Sequence, residues 1–502
     1  MLDIRHELNA FINKYKVIIV DKMKDPETES DEEADLHTDF IHRCSKGDIE
    51  ARRYVMSKVK EHLMFLVTQN DRKNIREIIV SHFIKYKSND FEKIDIDNID
   101  FANEEALITY YQLVEDCGSS FQEKFFAQEI ETIDELEVLA MEIYKIEYGL
   151  AWAEELMYMR INNIEIQGTK KIRVETHKGI WYTIKDYNFE TEAEVARIAD
   201  RLYSQEGNGQ ITQEDCEKEG RLLNGARLTI TLAPAASDNG IFIKKFDSFN
   251  VSEEEMIQNG TVSKEILDDL RILAKGRANS VLIGGVNTGK STFGKILVGL
   301  FPKNYKIGLI DSGKDTDVET LYPDRDIRTL YETDMYSLND QFKKMLRMNR
   351  HIIIIGESRG VEILEMIKAM TRGNSGSFCT LHVTNPKIVV NAIAQMCLED
   401  GNGQDINVLR ERVSEAVDLV IRLRHFEDTG KRVLDYIGEL VVKYDNPIRP
   451  FELRPIYQWD NVTKCVLRNP NYVMSEDLED KLRYYGCKED EIEKLKRKGA
   501  DV

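Results

Sequence analysis

"SVLIGGVNTGKSTFGKILVGLF", residues 280–301, decides how this chain folds. "VLI" is an apolar run with no polar side, the pattern of a short strand buried on both faces. Glycines then break the run, and "KSTFGKILVGLF" resumes with apolar residues at helical spacing. The middle fits G-x-x-x-x-G-K-[ST] as Gly284, Gly289, Lys290 and Ser291. The chemistry needs strand, loop and helix in that order. Glycines let the loop curl so that its N–H groups converge on phosphate oxygens, and the helix start adds its positive end. Lys290 reaches β- and γ-phosphates, and the Ser291 hydroxyl ligates Mg²⁺. The reading assigns Gly284, Gly285, Asn287, Thr288, Gly289, Lys290, Ser291 and Thr292 to nucleotide binding, with ATP and Mg²⁺ as the ligands.

Downstream, buried strands ("YKIGLID", "HIIIIGE", "SFCTLHV") alternate with helices ("VEILEMIKAMTR", "NPKIVVNAIAQMCL"). That alternation predicts an α/β domain with a parallel sheet over about 262–445. "DLVIRLRHF" and "RVLDYIGELVV" add a late hairpin, and residues 446–502 read as a polar, partly helical tail. In "HIIIIGESRG" (351–360) a dry strand runs into Glu357, and a carboxylate there is expensive unless something positive meets it. The strand can lie beside the P-loop strand, where Glu357, together with Ser291, would hold Mg²⁺.

Upstream, "NNIEIQG", "IRVETHKGIWYTI", "ARLTITLAPA" and "GIFIKKF" are short alternating strands around one helix, "TEAEVARIADRLYSQ". They predict a small α+β domain over 150–250. Residues 1–145 carry three-to-four spacing and read as helical, interrupted by an acidic linker, "DPETESDEEAD", at 25–35.

Composition bounds the function. The chain has 502 residues, 42% of them apolar, and 89 acids against 69 bases for a formal charge of −20. That balance speaks against sequence-independent binding of DNA or RNA as the main task, and against holding an anionic membrane by charge alone. No apolar run approaches the roughly 18 residues that span a bilayer, and "MLDIRHELNAFINKYK" has no signal-peptide core. The seven cysteines lie scattered without metal-ligand spacing, as free thiols of a reducing cytosol would.

With these motifs in hand, "LRMNRHIIIIGESRGVEILEMIKAMTRGNSGSFCTLHVTNP" (346–386) resembles the core of the type II/type IV secretion and pilus-assembly ATPases. Those enzymes carry a P-loop, an acidic Asp box, a strand ending in Gly-Glu, and a His box, matched here by Gly373, Gly376, Ser377, Thr380 and His382. The likeness covers about 150–445 and is nearest to the Flp/Tad pilus assembly branch, which has an extra helical N-terminal region. It implies a homo-hexameric ring of RecA-like motor domains, cytoplasmic and acting through an inner-membrane platform protein.

The resemblance also implies roles. Lys290 and Glu357 would serve the phosphates and Mg²⁺, His382 would sense the γ-phosphate, and Arg221 and Arg227 would supply positive charge to it. Asp311 would orient or deprotonate the attacking water, with Asp315, Asp317 and Glu319 as substitutes. Several positions depart from the pattern: Asp311-Ser312 for Glu-Asp, Lys244 for an arginine, Asn349 and His351 for an arginine and an acid, and Thr288 before Gly289. Slow hydrolysis is the expectation that follows. A nucleotide-binding ring with little hydrolysis is the rival reading. A GTPase switch ranks lower because no N-K-x-D motif is present, and an unrelated DNA-transfer ATPase would lack the His box.

Overall fold

The computed structural model describes residues 4–24, 31–45, 48–88, 107–108, 113, 133–150, 154, 156–157, 159–176, 179–184, 188–189, 191–203, 211–212, 214–222, 225–245, 251–312, 318–333, 335–358, 360–399, 404–426, 429–444 and 451–497. The chain forms two compact units, Met1–Phe249 and Asn250–Val502.

The first unit begins with helices α1 (Arg5–Lys24), α2 (Asp31–Ser45), α3 (Ile49–Leu66), α4 (Gln69–Ser88) and α5 (Glu135–Glu147). Leu8, Ile12 and Ile19, then Val55, Val59 and Leu63, recur at helical spacing and meet Leu139 and Ile143 in one core. Asp48 caps α3 by accepting from the Glu50 and Ala51 amides. Asp71 ties α4 to α1, accepting from Lys14 Nζ at 2.7 Å and from the Tyr15 hydroxyl. Those two hydrogen bonds hold its carboxyl down at about 2. The expected acidic linker is corrected in part: residues 31–35 belong to helix α2. Residues 25–30 lie outside the described residues.

Among the described residues this unit has seven strands, the first of them before α5: β1 (Leu107–Ile108), β2 (Ile161–Gln167), β3 (Lys171–Thr176), β4 (Trp181–Ile184), β5 (Glu217–Arg221), β6 (Arg227–Thr231) and β7 (Gly240–Lys244). Their order is β1-β4-β3-β2-β7-β6-β5. All neighbours are antiparallel except β1, which runs parallel to β4 and comes from within the region read as helical. Helix α6 (Glu192–Tyr203) buries Val195, Ile198, Ala199 and Leu202 in the same core as the alternate strand residues Ile164, Ile166, Ile172 and Val174. Strand β5, "EKEGR", has no apolar residue and so no strand signature in the sequence.

The second unit contains α7 (Glu253–Gln258), α8 (Lys264–Lys275), β8 (Ser280–Ile283), α9 (Lys290–Leu300), β9 (Ile307–Asp311), α10 (Val318–Leu321), β10 (Ile327–Tyr331), α11 (Leu338–Met345), β11 (Ile352–Ile355), α12 (Glu362–Thr371) and β12 (Phe378–Leu381). It continues with α13 (Val389–Leu398), α14 (Ile406–Ala416), β13 (Leu419–Phe426), β14 (Lys431–Val442), β15 (Phe451–Asp460), β16 (Cys465–Arg468), α15 (Glu476–Tyr484) and α16 (Glu489–Lys496). The sheet order is β10-β9-β11-β12-β8-β13-β14-β15-β16. The first six strands in this order are parallel, and β14, β15 and β16 are added antiparallel. The four isoleucines of β11 are buried because both faces are covered. Ile352 and Ile354 pack with Phe293 of α9, while Ile353 and Ile355 pack with Ile363 and Met366 of α12.

Two expectations are corrected here. Strand β11 does not lie beside the P-loop strand β8, because β12 is inserted between them. Nor is 446–502 only a helical tail, since β15 and β16 extend the sheet and α15 and α16 close its core with Leu478, Leu482, Ile492 and Leu495. Pro455 hid β15, and it sits beside a register shift: Gly438 faces Pro455 while Ile437 faces Tyr457, leaving Ile456 as the extra residue.

Candidate nucleotide site

The carboxyl ends of parallel strands are where an open α/β sheet binds ligands, and the expected residues of this unit collect there. At Gly284 a Cβ would lie 2.6 Å from both the Leu423 carbonyl oxygen and Thr288 Oγ1, so only glycine fits. Asn287 is left-handed with φ 58°, a conformation Asn tolerates. Gly289 (φ 89°) opens α9 without a side-chain cap, leaving the first-turn amides available to a ligand. Thr288 Oγ1 donates to the Gly285 carbonyl at 3.1 Å.

Lys290 is 7% exposed, and its Nζ donates to the Gly284 (2.9 Å) and Gly285 (2.6 Å) carbonyls. It also lies 3.4 Å from His382 Nδ1. An ammonium only donates, so Nδ1 is the accepting nitrogen and Nε2 carries the proton. His382 Nε2 is 2.8 Å from Glu357 Oε1, with side-chain exposures of 44% and 21%. What meets the carboxylate at the end of "HIIIIGE" is therefore His382. It reaches both Glu357 and Lys290 because its strand, β12, lies between β11 and β8.

The rest of the His box builds this arrangement. Thr380 Oγ1 donates to the Gly356 carbonyl at 2.6 Å and the Ser358 amide returns to the Thr380 carbonyl at 3.0 Å, fixing the end of β11. Ser377, fully buried, accepts from the Ile353 amide and donates to the Asn374 carbonyl.

Asp311 ends β9, one strand beyond β11. A Cβ on Gly356 would lie 2.8 Å from its Oδ1, so the glycine before Glu357 makes room for the second acid. Beside it, Ser312 Oγ is buried with no hydrogen-bond partner among the described residues, a polar group left for a ligand or water. Of the proposed substitutes, Glu319 is engaged elsewhere, accepting from the Thr329 amide at 2.7 Å, and Asp315 and Asp317 lie outside the described residues.

Ser291 is exposed and Thr292 half-buried at the start of α9. Hydroxyl and carboxylate oxygens such as those of Ser291 and Glu357 suit Mg²⁺, which usually takes one or two protein ligands together with substrate phosphates. Among the described residues no group of three or more His, Cys, Asp and Glu forms a separate metal site. The loop, the uncapped helix start and the hard oxygen donors fit a magnesium–triphosphate.

Arg221 and Arg227 are in the first unit, directly opposite one another on β5 and β6, with Lys244 opposite Arg227 on β7. They form a row of three cations across three strands. Sequence reasoning missed two arginines of the second unit. Arg432 Nε donates to the Asn287 carbonyl at 2.8 Å. Arg422 pairs with fully buried Asp435 through two bonds of 2.7 and 2.9 Å, and its Nη1 lies 3.3 Å from the Thr384 carbonyl. The available signal was an acid inside the apolar run "RVLDYIGEL", which requires a cation nearby.

A P-loop α/β domain is the class these parts define. The family model described as "Type II/IV secretion system protein" matches residues 155–442, more than half of the chain, and the chain belongs to that family. A protein of Bacillus anthracis described only as uncharacterized is 31% identical over 130 residues, 25% of this chain and 29% of that one. The conjugal transfer protein TrbB of Rhizobium radiobacter is 21% identical over 222 residues, 43% of this chain and 65% of that one. The chain thus spans less than two thirds of the length of either relative. The X-ray structure of the Legionella pneumophila ATPase DotB superposes with a TM-score of 0.42 at 16% identity, over 68% of this chain and 85% of that one. Among the described residues, no helix is long and apolar enough to cross a membrane.

Proposed function

We propose that this protein binds Mg²⁺–ATP at Gly284–Thr292 and hydrolyses it, as a hexameric motor that drives pilus assembly or secretion through a platform protein of the inner membrane. The observation that carries the reading is the line Lys290–His382–Glu357, three side chains from three elements meeting at the carboxyl ends of the strands. Lys290 brings positive charge to the β- and γ-phosphates while its buried stem holds it in place. His382, donating from Nε2, orients the Glu357 carboxylate. Asp311, beside Gly356, would orient or deprotonate the attacking water, a role its nearness to Glu357 at the strand ends supports. Ser291 and Glu357 would hold Mg²⁺, which when bound would neutralise charge on the phosphate oxygens. In the ring, γ-phosphate contacts present in only one state would convert hydrolysis into domain movement.

One observation favours a second reading, a nucleotide-binding ring of low hydrolysis that serves as scaffold or regulator. Asp311 is followed by Ser312 where the family has a second acid, and Glu319, engaged with the Thr329 amide, does not replace it. Phosphate release from Mg²⁺–ATP, with assembly followed by light scattering, separates the two. The motor reading predicts turnover in the assembled protein, lost on Lys290→Ala. Nucleotide binding without turnover in the assembled state would leave the scaffold.

A further inference from the structure

We propose that Arg432 is a positioning residue for the nucleotide loop, an inference that rests on the nucleotide-binding reading of Gly284–Thr292. The apex of that loop is Asn287, held left-handed at φ 58°, and its carbonyl accepts from Arg432 Nε at 2.8 Å. The arginine also passes under the turn into α9: a Cβ on Gly289 would lie 3.4 Å from Arg432 Cδ. One side chain therefore supports the loop on both sides of Thr288.

The support starts from a rigid place. Arg432 lies on β14, opposite His425 of β13. Three residues on, Asp435 of the same strand, fully buried, binds Arg422 of β13 through two parallel bonds, the geometry that best fixes a guanidinium. The third arm of Arg422 reaches Thr384, two residues past His382. One hairpin thus touches both loops that carry the site, the loop of Lys290 and the loop of His382. Phosphate binding needs the backbone amides of residues 284–290 to converge, so a loop free to sample other conformations binds more weakly by the fraction of time it is misshapen. Arg432 works through Asn287 and not by touching the phosphates.

Atom positions make this testable. The glutamine side-chain nitrogen is the same number of bonds from Cα as arginine Nε, so Arg432→Gln keeps a donor for Asn287 and loses the charge. Arg432→Lys keeps the charge but puts a methylene at that position. We expect Arg432→Ala and Arg432→Lys to weaken Mg²⁺–ADP binding to the full-length protein about ten-fold, as the loss of one hydrogen bond from a charged donor would. Arg432→Gln should restore affinity to within about three-fold of wild type, and the melting temperatures without nucleotide should stay together. The opposite pattern, with lysine tolerated and glutamine as poor as alanine, would overturn the proposal and make Arg432 a direct charge contact. Equal affinity in all four proteins would overturn it too. Failure of wild type itself to bind Mg²⁺–ADP would instead remove the nucleotide reading beneath it.

Discussion

The two ends of the parallel strands in the second unit treat charge in opposite ways. At the amino ends, Glu439 is buried and Asp418 half-buried, and both are met by the segment 451–497. Lys481 and the Asn279 amide meet Asp418, while Ser475 and the Tyr472 hydroxyl meet Glu439. Asp269 of α8 is handled alike, by Tyr457, Arg468 and Arg497. At the carboxyl ends, Lys290, His382, Glu357 and Asp311 come from four separate segments and meet one another where Glu357 and His382 are still partly exposed. On the proposed function, the contrast separates structural from functional polar groups. A buried acid met by dedicated donors contributes uniqueness and rigidity, whereas opposite charges gathered at the strand ends are placed for a ligand.

The largest expected effect comes from removing one side of this comparison. Truncation after Tyr444 deletes β15, β16, α15 and α16, uncovers the core around Ile437 and Leu270, and strips the donors from three acids. Breaking the buried Asp269–Arg468 pair alone costs about 3–5 kcal/mol, a large part of the roughly 5–15 kcal/mol that holds a typical domain. The uncovered core and the hydrogen bonds lost by Glu439 and Asp418 add to it. The second unit should then show no cooperative melt and be digested rapidly by protease. A truncated chain melting like the full one would return 446–502 to the status of a tail.

At the opposite end, Glu357→Gln should lower phosphate release by at least about 100-fold while nucleotide affinity stays within a few-fold, because the amide keeps the shape and loses the charge. Equal loss of binding and turnover would make Glu357 a part of the cradle instead.

Lys481→Met is the intermediate case. Burial raises the Asp418 carboxyl above its ordinary 3.8, opposed by Lys481. For an acid raised on folding, the penalty is absent below the ordinary value and grows as pH rises through the folded value. Without Lys481 that value climbs further, so the variant should lose about 3 kcal/mol at pH 7.5 and distinctly less at pH 5. Thermal melts at both pH values would show it, and an equal loss at both would mean that Asp418 is not the partner that matters.

The smallest effect serves as contrast. Arg271 pairs with Glu253 at 2.7 Å on the exposed side of α8. Arg271→Ala should change stability by less than about 0.5 kcal/mol in the same melts.

How much of this was legible follows from where the signals lie. Strand β8, the loop and α9 were readable because local patterning and tertiary role agree there, and "HIIIIGE" because a two-sided core demands a continuous apolar run. The order of the strands was not readable, since Glu357 was expected beside the P-loop and instead reaches it through His382 on an intervening strand. Strand β15 was masked by Pro455 and by the alternating charges of "FELRPIYQWD", which look irregular until a neighbouring strand supplies the register. The contact of Arg432 with the nucleotide loop left no signal in the sequence, because the acceptor is a backbone carbonyl 145 positions away. Side chains that act on distant backbone leave no period or spacing behind.

The most direct test is amide hydrogen exchange of the full-length protein with and without Mg²⁺–ATP. The account predicts slowed exchange in the loops at 284–292 and 382–384 and at 356–358, with no change around Asn279 and Leu419 at the other end of the same strands. Slowing at the amino ends with none in the nucleotide loop, or no change anywhere at saturating nucleotide, would contradict it.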